Sequence, residues 1–260
     1  MKSIALALFA ALTLSAGSVS AAQLILSDGQ THIINYSVGE NLAVSNSTHV
    51  VLENGASIGQ WRIQLEDTST VEVRAGAFTG SDLVLTGSSH ADIKGGIIPH
   101  LLVDDNSSAD VQGGTHGMIT GMGSGSISIY GGNIYQHAIA NYSSTLDIFG
   151  GAFEPNTVVR ADLPWSKIKI YGTDFKLDGA PVPFGTCQCG YGFGTQRLEG
   201  ILTSGDVLSV KVMQDNYTFE GEIELVQAEP IPQPSTALLL GIGLIGMSLR
   251  RRAKIFWTTD

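Results

Sequence analysis

In the stretch SISIYGGNIYQHAIANYSSTLDIFGGAF, residues 126–153, one phrase occurs twice: an alternating polar and apolar run, an aromatic residue, Gly-Gly, and an apolar residue soon after. The first copy begins at Ser126 and the second at Thr145. Working outward, the phrase returns as TVEVRAGAF (70–78), ADIKGGII (91–98), ADVQGGTH (109–116) and KIKIYGTDF (167–175). With Gly76, Gly96, Gly114, Gly132, Gly151 and Thr173 taken as equivalent markers, the phrase recurs at nearly even steps, and Gly55 extends the series by one. Steps of this size, about 20 residues, lie in the range of solenoid repeats.

That register sorts the residues into columns. Five positions before the marker stand Val50, Val71, Ala91, Ala109, Ile127, Leu146 and Ile168, and three before it Leu52, Val73, Ile93, Val111, Ile129, Ile148 and Ile170. Side chains two apart on a strand share a face, so both columns point inward. Two positions after the marker come Phe78, Ile98, Ile134, Phe153 and Phe175, read as a third inward column in which His116 replaces an apolar residue. Seven before it lie Thr48, Ser69, Ser89, Ser107, Gly125, Ser144 and Ser166, a turn column whose hydroxyls can bond nearby backbone. A second short apolar stretch recurs in each repeat, as RIQL, LVL, LLV, MIT, AIA and VVR, at a varying distance from the marker. Insertions therefore collect at one corner.

Repeats of this length, with short strands and no helical periodicity, bury their apolar faces only by stacking. The reading is an all-β fold: a single-stranded parallel β-helix with coils of about 18–22 residues, expected to be right-handed because the strict hexapeptide period of left-handed helices is absent. An antiparallel sandwich or barrel also has short strands and turns, but it does not produce repeating columns. Residues 23–175 are assigned to the helix, with QLILSDGQTHIINYSVGENLAVS as its first, irregular coil or cap, and residues 176–228 to a C-terminal cap of β-strands.

Both ends of the chain differ from this body. Residues 1–22 have a lysine, an apolar run and small residues, the pattern of a secretory signal peptide and its helix. At the other end, a proline-rich linker (229–234) leads into an uncharged apolar segment (235–249), expected to form a short helix, and then into Arg250, Arg251, Arg252 and Lys254. The segment is shorter than the roughly 20 residues of a full span, and the basic block would stay cytoplasmic. Residues 255–260 form a short tail. The order Pro232, Gln233, Pro234, Ser235, Thr236, apolar run, arginine cluster resembles the PEP-CTERM sorting signal, here over 232–254. Gln233 stands where that family usually has glutamate, and IFWTTD follows the basic cluster. The resemblance implies transient anchoring in the inner membrane and processing by an exosortase-type membrane protease. It further implies delivery to the surface, outer envelope or extracellular matrix of a Gram-negative bacterium.

Between signal and tail, residues 23–233 hold 9 Lys/Arg against 23 Asp/Glu, so nucleic acid is excluded as a partner and extracellular polysaccharide or matrix proteins remain. On the outward face, four before the marker, lie Val51, Glu72, Asp92, Asp110, Ser128, Asp147 and Lys169. Carboxylates stacked at about 4.8 Å repel unless neutralised. Either a bound Ca²⁺ or a surface ion-pair lattice with Arg74 and Lys94 would do this. Glu72, Asp92, Asp110 and Asp147 thus define a candidate cation or glycan face, although the Gly-Gly-x-Gly-x-Asp repeat of calcium-binding β-helices is absent.

A polysaccharide lyase or hydrolase would need paired carboxylates of shifted pKa, for which Glu72, Asp92 and Asp110, then Asp104 and Asp105, are the candidates. No catalytic motif supports that reading, and a non-enzyme with a structural, adhesive or glycan-binding role is expected. His90, His100 and His137 fall at unequal places in their coils, so no metal ladder and no cofactor are assigned. Cys187 and Cys189 could form a local disulfide, remain thiols, act as a reactive pair, bridge to another chain or bind a metal.

Overall fold

A computed structural model describes residues 23–59, 62–80, 82–187, 189, 195–213 and 221–228. The signal peptide, linker, apolar segment and basic cluster lie outside these described residues. Within them all regular structure is β-strand, wound into a parallel solenoid of about eight turns. No helix of the described residues is long and apolar enough to cross a membrane.

Three sheets run along the solenoid. The first is built from Thr31–Ile34, His49–Leu52, Thr70–Val73, His90–Ile93, Ser108–Val111, Ser126–Ile129, Thr145–Ile148, the start of Lys167–Leu177, and Glu222–Gln227. Its ladder is in register throughout. Ile34, Leu52, Val73, Ile93, Val111, Ile129, Ile148, Ile170 and Leu225 stack rung on rung, and every one of them is buried. Val50, Val71, Ala91, Ala109, Ile127, Leu146, Ile168 and Ile223 form the parallel column beside them. Complete burial contributes about 1.5–3 kcal/mol per large aliphatic side chain, and no coil could bury these faces without its neighbours.

The second sheet carries the short apolar stretches. Leu42, Ile63, Leu83, Leu101, Ile119, Ala138, Val159 and Val212 stack inward, again nearly free of solvent. Between the second and first sheets the chain turns through a column of hydroxyls that are buried. Ser69 Oγ donates to the carbonyls of Glu66 (2.7 Å) and Val44 (3.1 Å), Ser166 Oγ donates to Leu163 O at 2.6 Å, and Thr48 Oγ1 accepts from Gly29 N at 3.0 Å. The hydroxyls thus add bonds to backbone groups at the buried corner, with Thr48 supplying the acceptor for Gly29 N–H, while Ser89 Oγ has no partner among the described residues.

In the third sheet, Val38, Ile58, Thr79, Ile98, His116, Ile134 and Phe153 are buried. Phe78, read above as inward, is out of phase with this column: it pairs with Ser57 and Ile97, while Thr79 pairs with the inward Ile58. The cause is one additional residue. Ala56 and Ala77 follow their marker glycines as buried corner residues, whereas Gly96, Gly114 and Gly132 enter the strand directly. A one-residue slip exchanges the two faces of a strand. Thr79 answers its burial by donating Oγ1–H to Ile97 O at 3.1 Å.

The two ends are built differently. The N-terminal segment forms the first coil of the solenoid: Gln23–Leu26, Thr31–Ile34 and Ser37–Val38 each pair in register with the following turn. At the C-terminal end, Lys167–Leu177 outlasts its sheet and pairs antiparallel with Gln196–Leu202, which folds back on Val207–Met213. Val207–Met213 becomes the last rung of the second sheet and Glu222–Gln227 the last rung of the first. Leu198, Leu202, Leu208, Val210 and Val212 supply the apolar side of this closure.

The marker glycines hold the sharp corner between the first and third sheets. Gly114 has φ +96°, and a Cβ there would lie 2.8 Å from Gly96 O. Gly39 carries no such constraint, and a Cβ would meet nothing within 4 Å. Gly114→Ala is therefore expected to cost about 1–3 kcal/mol through a forced left-handed conformation, whereas Gly39→Ala leaves stability nearly unchanged. Paired thermal denaturation curves check this, and equal midpoints for the two variants would sink the steric account of the marker.

Candidate functional site

The first sheet's outward face is a grid three columns wide. Its central column is Ile33, Val51, Glu72, Asp92, Asp110, Ser128, Asp147, Lys169 and Glu224, each aligned with the next across the ladder. The four carboxylates named from sequence thus share one face, with Ser128 separating Asp147 from the other three.

The acidic run is held by cations from the neighbouring column. Arg74 Nε lies 2.9 Å from Glu72 Oε1 and its Nη1 reaches Glu53; Lys94 Nζ lies 3.0 Å from Glu72 Oε1 and 2.8 Å from Asp92 Oδ2. Gln112 Nε2 donates to Asp92 Oδ1 at 2.9 Å. Hydrogen bonds from Arg74 and Lys94 pull the Glu72 pKa down to about 2, so this group stays ionised and cannot deliver a proton near neutrality. Asp110, aligned with Asp92, makes no ion pair with a described residue.

Asp147 sits in a different environment. Burial raises its pKa, partly opposed by the charge of Lys169 and a hydrogen bond with Tyr171. Tyr171 belongs to a feature that the sequence reading passed over: Tyr130, Phe149 and Tyr171, one per coil, stack at centroid distances of 5.0 and 4.2 Å with interplanar angles of 7° and 18°. The signal was present two positions before the marker, where Glu53, Arg74, Lys94, Gln112, Tyr130, Phe149 and Tyr171 form a column that turns from charged to aromatic. Phe149 is stacked on both faces, whereas Tyr130 and Tyr171 each stack on one.

The remaining candidates are structural in what they touch. Asp105 takes φ +54° in a corner, where its Oδ2 accepts from Gly87 N at 3.0 Å, and Asp104 Oδ1 accepts from Asp105 N at 2.7 Å. His116 is fully buried, with Nε2 2.9 Å from Gly113 O; burial holds its pKa down and keeps the ring neutral, and Nδ1 has no partner among the described residues. Cys187 and Cys189 are joined in a disulfide within the cap, and Cys187 N donates to Ile223 O at 2.7 Å. Among the described residues no group of three or more His, Cys, Asp or Glu is placed to hold a metal ion.

A second, smaller arrangement lies on the outward face of the second sheet. Gln23, Asn41, Leu42, Arg62, Gln64 and Asp82 line a hollow of about 420 Å³ that spans the first four rungs. The sequence reading followed the apolar members of those strands and left their polar alternates aside.

The fold therefore defines an all-β solenoid with a partly self-neutralised charged face. Comparison with known proteins adds its destination. Residues 230–252 match the family model for the PEP-CTERM protein-sorting motif, while no curated protein and no solved structure matches the chain. The chain is a repeat β-helix carrying a PEP-CTERM sorting signal. The motif implies export, a membrane-anchored C-terminal signal, processing by an exosortase, which is a membrane protease, and a place outside the cell or on its surface.

Two pH dependences follow from the opposite shifts of Glu72 and Asp147. Glu72 falls from 4.5 to about 2 on folding, so its stabilisation is present above pH 4.5 and is lost as pH drops toward 2. Glu72→Gln is expected to lower the thermal midpoint at pH 7 and to flatten its fall across that window. For Asp147 the sign reverses: the folded pKa is raised above 3.8, so ionisation costs stability at neutral pH. Asp147→Asn is expected to raise the midpoint at pH 7, with the gain vanishing below pH 3.8. Scanning calorimetry from pH 2 to 8 reads both, and a pH-independent difference for either variant contradicts its assignment.

Proposed function

We propose that this chain is a surface or exopolysaccharide-matrix protein of a Gram-negative bacterium, and that the solenoid serves a structural, adhesive or glycan-binding role without catalysis. One conjunction carries the reading: a sorting motif at 230–252 follows a parallel solenoid on whose acidic face Glu72 and Asp92 are held in ion pairs. Such a face offers a long polar ladder of fixed spacing. It offers little for acid–base chemistry, because Glu72 is held far below the range in which a carboxyl shuttles protons near pH 7.

The competing reading, a polysaccharide lyase or hydrolase, gains nothing from a polar relay on the second sheet. Asp82 Oδ2 lies 3.7 Å from His100 Nδ1, and His100 Nε2 lies 3.3 Å from Thr120 Oγ1. That order is one of acyl transfer, whereas cleavage of a glycosidic bond calls for paired carboxylates. Thr120, moreover, is only 7% exposed, and neither it nor His100 lines the adjacent hollow.

The deciding measurement is the intact mass of the protein recovered from the extracellular or matrix fraction of its host, with the C-terminus mapped by peptides. A chain ending between Pro232 and Thr236 is the expected result. Recovery with the tail through Asp260 intact removes exosortase processing from the proposal, and release of oligosaccharides from host matrix polymer by the purified protein overturns the non-catalytic role.

A further inference from the structure

The hollow on the second sheet differs from the charged face in one respect. Three cations of the first sheet are bound to carboxylates, Arg74 to Glu53 and Glu72, Lys94 to Glu72 and Asp92, Lys167 to Glu222 and Glu224, and the fourth, Lys169, makes no such pair among the described residues but is aligned on the ladder between Asp147 and Glu224. Arg62 is exposed, lines the hollow, and makes no ion pair with any described residue. Its immediate ladder partner is an acid, Asp82, yet Asp82 stands 3.7 Å from His100 on the next coil instead.

Asn41, Gln64 and Asp82 are each held at one atom, leaving another without a partner among the described residues. Asn41 Oδ1 accepts from the backbone N–H of Arg62 at 3.2 Å, which leaves the Asn41 amide NH₂. Gln64 Nε2 donates to Glu66 Oε1 at 2.6 Å, which leaves the Gln64 carbonyl oxygen. Asp82 keeps one carboxylate oxygen, and Gln23 both ends of its amide. Gln23, Asn41, Arg62 and Asp82 occupy the same strand position in four successive coils, so they recur at the inter-strand spacing of about 4.8 Å. A row of amides and a carboxylate at that interval suits the hydroxyls of an extended glycan, whose sugar rings advance by a comparable step. A guanidinium with both of its parallel N–H groups uncommitted suits a carboxylate. The chain carries a net charge of -10, so an acidic polymer is repelled over most of its surface and held where an unpaired cation lines a hollow beside hydrogen-bonding groups.

We propose that the hollow is a binding site for a short segment of a uronic-acid-containing polysaccharide, with Arg62 engaging a uronate carboxylate and Asn41, Gln23, Gln64 and Asp82 engaging ring hydroxyls. The inference rests on the glycan-contacting role proposed above and gives that role a location and a ligand class. Binding is set by Arg62 and weakens with added salt.

The test is titration calorimetry of the mature protein with a linear galacturonic acid pentamer and with its carboxyl-reduced, neutral counterpart, beside co-sedimentation with polymer extracted from the host matrix. The pentamer is expected to bind the wild type, with Arg62→Gln weakening it by about tenfold or more, in keeping with loss of a bidentate charge-assisted pair. Lys176→Gln, which removes an exposed positive charge in the cap, should leave the affinity unchanged. Unaltered affinity in Arg62→Gln, or equal affinity for the neutral pentamer, overturns the site. If neither pentamer binds while the protein still sediments with matrix polymer, the hollow is refuted and the matrix role stands; if sedimentation fails too, both fall.

Discussion

Everything in this molecule depends on parallel strands stacking in register, one coil directly over the last. A single coil has no interior of its own; Ile93 is buried because Val73 lies on one side of it and Val111 on the other. The same alignment that builds the core dictates the exterior, since a column of inward residues forces the alternating positions into outward columns. Glu72, Asp92 and Asp110 are brought together by the core's register, and the cost of that proximity is offset by placing Arg74 and Lys94 two positions further along the same strands. The charged face and the apolar core are two readings of one periodicity.

This coupling explains why so much was legible in the residues alone. The two columns before the marker glycine alternate without interruption from Val50 to Ile170, and a period-two pattern repeated in aligned copies admits few folds. What escaped the sequence lay where the count changes. Ala77 occupies a corner that later coils cross without it, and from one chain no property of Phe78 or Thr79 announces which of them faces inward. The N-terminal coil looked irregular because it lacks the Gly-Gly phrase, yet its strands meet the next turn in register through Leu24, Leu26 and Ile34.

The candidate sites divide in the same way. The acidic column was visible because its members share a fixed offset from the marker. Tyr130, Phe149 and Tyr171 share one too, but a column that begins as Glu53 and Arg74 does not read as a single property. The Arg62 hollow was harder to see, because its strand sits at a variable distance from the marker and its polar members Asn41, Arg62 and Asp82 have nothing in common but position. Their relation appears only when the ladder places them on consecutive rungs.

The closing strand also carries a consequence in time. Each inner coil of the first sheet pairs with the coil made just after it, as Thr145 pairs with Lys167, but Lys167 in turn pairs with Glu222, beyond the whole of the cap hairpin. Synthesis delivers the coils in the order in which they stack, whereas the last rung must wait for the hairpin of residues 196–213 to be made. That rung ends at Gln227, and the sorting motif begins at residue 230. The solenoid can finish closing only as the chain reaches the signal that sends it away, so completion of the fold and arrival of the sorting tail are nearly one event along the polypeptide.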